Sequence, residues 1–324
     1  MSLDGIAVQN MQKNARLWIA GHTGMVGSAL LRKLTENGYS NFLLRSHSEL
    51  DLRDASAVET FVQKERPELV ILAAAKVGGI SANREFMAEF LLENLQIQNN
   101  VISSAWKHGV KKLCFLASNC IYPREAAQPF REESLLDGPP ETTNEGYALA
   151  KIAGLRLCQY LSRQYGLRTI SLIPCCLYGK NDHFEPERSH VMAAMVKRFC
   201  DAADSGVNEV VCWGSGTPKR EFLNVDDFAE IACNLFETYE DPGVLNVGSA
   251  EEIGMRELAE RVAACAGYRG TIRWDRSKPD GIARKILDSS RLHAWSSWRP
   301  RIALEEGIRS MIEEYRSKKS RRRV

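Results

Sequence analysis

At 324 residues, 44% hydrophobic and 26% charged, the chain has the composition of a globular protein, with room for one large domain and an appended lobe. A formal net charge of +2 points to no nucleic-acid surface, and no apolar run reaches membrane-spanning length. Nine cysteines, scattered without C-x-x-C spacing and without a signal peptide, argue for reduced thiols in a cytoplasmic protein rather than a disulfide framework or a metal site.

Residues 1–14 carry no periodicity and are expected to form a loose, disordered leader, with order beginning at Arg16. The apolar run Leu17–Ala20 reads as a strand and is followed by a helical pattern to residue 34. Further strands are expected at 42–44, 69–72 and 112–117, with helices at 57–63 and 86–107 between them. After Gly138-Pro139-Pro140 a helix is expected at 147–165, then a strand at 169–173 ending at Pro174. Strands alternating with helices imply an α/β fold, a doubly wound parallel sheet of the Rossmann type. Beyond Pro174 short elements alternate irregularly, which suggests a smaller C-terminal α/β lobe that binds substrate. The division expected is 15–174 plus 222–250 for the dinucleotide-binding domain and 175–221 plus 251–318 for the lobe. Residues 319–324 close the chain as a basic tail; the run from Arg316 to Arg323 reads as a frayed, solvated end rather than a nucleic-acid or membrane contact.

Between the first strand and the first helix lies Gly21-His22-Thr23-Gly24-Met25-Val26-Gly27. The G-x-x-G-x-x-G spacing permits a tight turn and lets backbone N–H groups approach a pyrophosphate at the positive end of a helix. NAD-specific proteins present a carboxylate at the end of the second strand, to grip the ribose hydroxyls. Here Arg45 stands in that region, and a cation suits the 2′-phosphate of NADP; Asp51, further on, suits the adenosine side.

Tyr147-Ala148-Leu149-Ala150-Lys151 is a Y-x-x-x-K pair. Four residues along a helix put both side chains on one face, where the ammonium is expected to lower the phenol's pKa and to reach the nicotinamide ribose. Ser118, just past a strand's carboxyl end, is placed to hydrogen-bond a substrate carbonyl. Together these residues make the set required for hydride chemistry at a ketone or alcohol.

The glycine spacing resembles that of the extended short-chain dehydrogenases/reductases, and longer segments are more specific. Ala20-Gly21-His22-Thr23-Gly24-Met25-Val26-Gly27-Ser28-Ala29, Ala73-Ala74-Ala75-Lys76-Val77-Gly78-Gly79-Ile80 and Cys120-Ile121-Tyr122-Pro123 resemble the GDP-L-fucose synthase family. So do Tyr147-Ala148-Leu149-Ala150-Lys151-Ile152-Ala153-Gly154, Trp213-Gly214-Ser215-Gly216-Thr217-Pro218, Arg220-Glu221-Phe222-Leu223 and Ser277-Lys278-Pro279-Asp280-Gly281. The resemblance spans residues 16–311.

It implies epimerisation of GDP-4-keto-6-deoxy-D-mannose at C3 and C5, then reduction of C4 with NADPH. Cys120 and His190 become the acid/base pair of epimerisation; their residue types alone would leave Cys120 a small buried apolar side chain and His190 a surface or core residue. The implied NADP(H) site comprises Gly21, His22, Thr23, Gly24, Met25, Val26, Gly27, Arg45, Asp51, Leu52, Ala73, Ala74, Ala75, Lys151, Pro174, Cys176, Leu177 and His190. Arg198, Trp213, Arg220, Asp280 and Lys285 are implied to hold the GDP-sugar, the arginines through bidentate contacts to its phosphates. A homodimer through the helices starting near Phe86 and Tyr147 is the family habit.

Five positions depart from the family pattern. Cys175-Cys176 replaces Thr-Asn, Thr23 replaces a loop arginine, His47 replaces a second basic residue, and Asn119 replaces Ser or Thr. These leave open a sister enzyme of a GDP-L-colitose or GDP-6-deoxy-heptose pathway, and, more remotely, another nucleotide-sugar epimerase of the same fold. A dehydratase would carry an Asp-Glu pair where Asn119-Cys120 stands. A non-enzymatic scaffold would not need Tyr147 and Lys151.

Overall fold

The computed structural model describes residues 11–185, 189–278 and 280–321. Strand β1 (Leu17–Ala20) is buried along its whole length, as a strand with helices over both faces must be. Helix α1 (Met25–Glu36) turns Ala29, Leu30 and Leu34 inward at helical spacing. After β2 (Phe42–Leu43), helix α2 (Ala55–Glu65) is started by Asp54, whose carboxylate accepts the Ala57 N–H at 3.0 Å. Strand β3 (Leu69–Leu72), the short helix α3 (Ile80–Glu85), α4 (Met87–Lys107), β4 (Lys112–Leu116), α5 (Glu145–Tyr165) and β5 (Arg168–Pro174) continue the alternation.

Strand β6 (Cys176–Tyr178), α6 (Val191–Ser205), β7 (Glu209–Trp213) and β8 (Lys219–Asn224) follow. Helix α7 (Val225–Thr238) and β9 (Val244–Val247) then return to the large sheet. The remaining elements are β10 (Glu252–Gly254), α8 (Met255–Ala266), β11 (Thr271–Asp275), β12 (Arg284–Lys285), α9 (Ser290–Trp295) and α10 (Leu304–Arg321).

The main sheet has six parallel strands in the order β2-β1-β3-β4-β5-β9, the doubly wound Rossmann arrangement. The chain leaves β1 toward β2 on one side and returns to β3 on the other. The crevice between the carboxyl ends of β1 and β3 is therefore the switch point at which such sheets bind ligands. A second assembly centres on β8, which pairs in parallel with β6 and β12 and antiparallel with β10; β7 and β11 form a separate parallel pair. Each assembly has its own apolar core. One gathers β1, β3, β4, β5 and β9 with their helices, and the other packs Met192, Val196 and Phe199 of α6 against Leu258, Val262, Ile308 and Met311. Burying side chains of this size contributes about 1.5–3 kcal/mol each.

Three features differ from expectation. Residues 11–14 are docked rather than loose, with Met11 against the core and Lys13 paired with Glu237 at 2.7 Å; residues 1–10 lie outside the described part. The chain from 191 to 205 is one regular helix rather than irregular short elements, because Met192, Met195, Val196 and Phe199 form a buried stripe. The basic end is helical through Arg321 and anchored, since Lys319 reaches Asp201 at 2.7 Å and Asp204 at 2.9 Å on α6. Only residues 322–324 of the expected tail fall outside the described chain.

Candidate active site

The glycine turn is fixed by steric necessity. Gly21 has φ +91°, and a Cβ at Gly27 would lie 2.1 Å from the Gly21 carbonyl oxygen, so α1 can start this close to β1 only with glycine there. The first N–H groups of α1 consequently face the switch point. His22 Nδ1 is buried with no partner among the described residues, and burial pushes its imidazole pKa down. Arg45 donates to the Leu44 carbonyl at 2.8 Å and pairs with Glu65 at 3.1 Å. Asp51 is gripped by Arg53, which holds its carboxyl at about 2.

Ser118 follows β4 in extended conformation, and its Oγ accepts the Cys120 N–H at 3.4 Å. That bond starts a single 3-10 turn, Asn119–Ile121, which aims Cys120 inward. The loop is anchored from behind: Tyr122 Oη donates to Asn246 Oδ1 at 2.6 Å, and Asn246 Nδ2 donates to the Phe130 and Asp288 carbonyls at 2.9 and 3.0 Å. Asn246 is fully buried on β9, so the loop that carries Ser118 and Cys120 is tied to the far edge of the main sheet.

Tyr147 and Lys151 share one face of α5, and Lys151 Nζ donates to the Leu116 carbonyl at 2.9 Å. Burial lowers Lys151 to about 8. Burial, reinforced by neighbouring Cys120, instead holds the Tyr147 phenol above its ordinary value. This corrects the expectation of a phenol lowered by its lysine. The ammonium is committed to a backbone carbonyl and stands 5.8 Å from the phenol ring centre, and desolvation of the tyrosine outweighs it.

Met25, Val26, Ala73, Ala75, Ser118, Cys120, Tyr147, Lys151, Pro174, Cys176, Leu177, His190 and Lys285 line a single cavity of about 300 Å³. Burial pushes the Cys120 thiol up, opposed first by the Lys285 cation and then by a Ser118 hydrogen bond and Lys151. Burial lowers the His190 imidazole. The cavity wall carries no carboxylate among the described residues. Such a wall combines hydroxyl donors for a ketone oxygen with two groups able to hold or release a proton, the equipment for enolisation and for reduction.

The other expected residues stand outside this wall. Gly21, His22, Thr23, Gly24, Gly27 and Ala74 form the glycine turn and its support, with Arg45, Asp51 and Leu52 beyond. Arg220 faces Lys285 across the β8–β12 register, and Asp280 accepts the Ser215 N–H at 2.7 Å. Trp213 is 59% exposed beneath Lys278, and Arg198 donates to the Val211 carbonyl at 2.7 Å.

Sequence reasoning missed several contributors. Asn83 and Asn144 line the cavity, although neither belongs to a motif that reveals it. Glu221 is fully buried and accepts the Ala250 N–H at 2.7 Å and the Leu287 N–H at 3.0 Å, clamping the segment that carries Lys285. Its place directly after Arg220 was the available signal. All nine cysteines are free. Among the described residues no helix is long and apolar enough to cross a membrane, and no cluster has the make-up of a metal site.

Residues 17–248 match the model of the NAD dependent epimerase/dehydratase family. GDP-L-fucose synthase 1 of Arabidopsis thaliana is 50% identical over 312 residues, covering 96% of each chain. Among solved structures, a GDP-6-OMe-4-keto-L-xylo-heptose reductase from C. jejuni superposes with a TM-score of 0.89 at 31% identity, covering 95% of this chain and 99% of that one. A GDP-L-fucose synthetase from Naegleria fowleri bound to NADP superposes at 0.87 with 25% identity, covering 96% and 97%.

Proposed function

The chain belongs to the NAD dependent epimerase/dehydratase family, among its GDP-L-fucose synthases, and from that premise we propose that it converts GDP-4-keto-6-deoxy-D-mannose to GDP-L-fucose. It epimerises C3 and C5 and then reduces C4 with NADPH. The observation that carries the reading is one cavity lined by Ser118, Tyr147 and Lys151 together with the thiol of Cys120 and the imidazole of His190. A plain reductase has no use for the last two.

The glycine turn fits a dinucleotide, since a Cβ at Gly21 or Gly27 would strike the backbone of Ala74 or of Gly21 and open the tight turn that brings the start of α1, with its free N–H groups, up to the switch point. Met25, Val26, Ala73, Ala75, Pro174 and Leu177 would flank the cofactor, and Lys151 would reach its ribose. NADPH supplies the hydride when bound. Arg45 would serve the 2′-phosphate by exchanging its bond to Glu65 for one to the ligand.

Ser118 and Tyr147 hydrogen-bond the C4 oxygen, favouring the enolate during epimerisation and the alkoxide during reduction. With the thiol raised and the imidazole lowered, the resting pair is a neutral thiol and a neutral imidazole in the wall of one cavity. His190 then takes a carbon-bound proton from one face of the sugar, and Cys120 returns one to the other. Arg198, Trp213, Arg220, Asp280 and Lys285 serve the GDP portion on the substrate side.

The test is to follow NADPH oxidation with GDP-4-keto-6-deoxy-D-mannose, with NADH in parallel, and to identify the product by NMR. GDP-L-fucose is expected; inactivity toward this sugar despite NADPH binding would sink the reading. Cys176, in the cavity wall, favours one second reading, a sister enzyme acting on a GDP-4-keto-3,6-dideoxyhexose or a GDP-4-keto-heptose. Higher kcat/KM on either of those sugars would establish it.

We also propose a homodimer through the exposed faces of α4 and α5, where Leu92 is 57% and Tyr160 56% exposed, and a cytoplasmic setting in keeping with nine free thiols.

A further inference from the structure

Three asparagines, Asn83, Asn119 and Asn144, stand in the cavity wall, and each has a buried amide atom without a hydrogen-bond partner among the described residues. Asn83 is 6% exposed, and its Nδ2 donates to the Gly78 and Gly79 carbonyls at 2.9 and 3.0 Å. Those two carbonyls settle which end of the amide is nitrogen. Its Oδ1 is the atom left over, an acceptor facing no donor. Asn119 is likewise 6% exposed, and its Nδ2 meets no acceptor. Asn144, just before α5, leaves its Oδ1 unused.

A buried polar atom without a partner costs about 1–3 kcal/mol, so native structures hold few of them. Three around one cavity imply a ligand that supplies both donors and acceptors. Hydroxyl groups do both, and a hexose ring presents them close together. Asn119 belongs to the same 3-10 turn as Cys120, which Ser118 caps, and all three line the cavity in which the C4 ketone is polarised and a proton is moved at the carbon beside it. Of the two carbons beside the C4 ketone only C3 carries a hydroxyl, since C5 bears the ring oxygen and the methyl group.

Resting on the reading of a GDP-4-keto-6-deoxyhexose substrate, we propose that Asn119 and Asn83 read the sugar's C3 hydroxyl. Asn119 Nδ2 donates to the hydroxyl oxygen, Asn83 Oδ1 accepts the hydroxyl proton, and the pair sets which 4-keto sugar is turned over. A site built to bond a hydroxyl rejects the analogue that lacks it, because its own buried groups then stay unpaired.

The test compares GDP-4-keto-6-deoxyhexose with its 3-deoxy counterpart on wild type and Asn119→Ala, with affinities for GDP and NADPH measured by calorimetry. Asn119→Ala is the cleaner variant because its amide nitrogen makes no bond to the described protein. Asn83→Ala also releases the Gly78 and Gly79 carbonyls and is read beside its thermal midpoint. Wild type is expected to favour the 3-hydroxy sugar by about tenfold or more in kcat/KM. Asn119→Ala should lose about tenfold on that sugar, little on the 3-deoxy one, and nothing in GDP or NADPH affinity.

An equal loss on both sugars, a loss confined to NADPH affinity, or no loss at all would overturn the proposal. If wild type neither binds nor turns over either sugar, the reading of the substrate falls with it. If wild type turns over the 3-hydroxy sugar and Asn119→Ala matches it throughout, only the present proposal falls.

Discussion

The two walls of the cavity lined by Ser118, Tyr147 and Lys151 are built by different means. On the β1–β3 side the backbone does the work: a glycine turn and the alanines after β3 leave space and present N–H groups, with few side chains taking part. On the other side, side chains from separate segments converge. His190 comes from the start of α6, Cys176 from β6 and Lys285 from β12, while Glu221 on β8 clamps the chain next to Lys285. A backbone-built wall fails completely when one atom is added. A side-chain-built wall can be retuned one residue at a time.

Gly27→Ala tests the first half of that contrast and carries the largest expected effect. Its Cβ would sit 2.1 Å from the Gly21 oxygen, so the turn must open. NADPH affinity should fall on the order of 100-fold, equivalent to about 3 kcal/mol, while GDP affinity holds. Fluorescence titration of both ligands checks it, and a parallel loss of GDP binding would show that the two walls are not separable.

Asp182, on the loop that leads to α6, is 3% exposed, and burial raises its carboxyl to about 6 from an ordinary 3.8. A carboxyl raised on folding makes the folded state bind more protons than the unfolded state between those two values. Stability is therefore lost as pH rises through that window and stays lower above it. Asp182→Asn should stabilise the protein by about 2 kcal/mol at pH 7. The advantage should shrink toward zero near pH 4, as followed by urea unfolding at the two pH values. A gain independent of pH would contradict this account of the loop.

The smallest effect concerns Lys285. Its cation is the chief counterweight to the burial that raises the Cys120 thiol. Lys285→Met should shift the pH midpoint of Cys120 alkylation by iodoacetamide upward, slowing labelling about 5- to 10-fold in mildly alkaline buffer, with Lys285→Arg near wild type. Peptide mass spectrometry reads the single site among nine cysteines. An unchanged midpoint would mean that Lys285 serves only the GDP portion.

This contrast also explains what was legible in the sequence. Local patterns carry the backbone-built wall: Gly21 to Gly27 between an apolar run and a helical stripe is readable because steric necessity leaves no other residue type at Gly27. Tyr147 and Lys151 are readable because helical spacing joins them. Glu221 and Asn246 were not, since each acquires its role from partners far along the chain, Ala250 and Leu287 for the one and Tyr122 for the other; Asn83 bonds locally to Gly78 and Gly79, but the cavity it lines is closed by distant segments. The phenol's raised pKa was missed for the same reason, because desolvation depends on the whole enclosure rather than on the neighbouring lysine. The α6 stripe was legible and overlooked; its Met, Val and Phe positions repeat at helical spacing, with the charged residues Lys197, Arg198, Asp201 and Asp204 between and after them.

The measurement that tests the central claim most directly is isotope wash-in without reductant. Protein and GDP-4-keto-6-deoxy-D-mannose are incubated in deuterium oxide with NADP+ and no NADPH, and the sugar is read by NMR. Deuterium at both C3 and C5 with wild type, sharply slowed in Cys120→Ser and in a His190→Asn variant, is the expected result. NADPH oxidation that proceeds normally in a separate assay while no deuterium enters either carbon would contradict it. The cavity would then house a reductase alone.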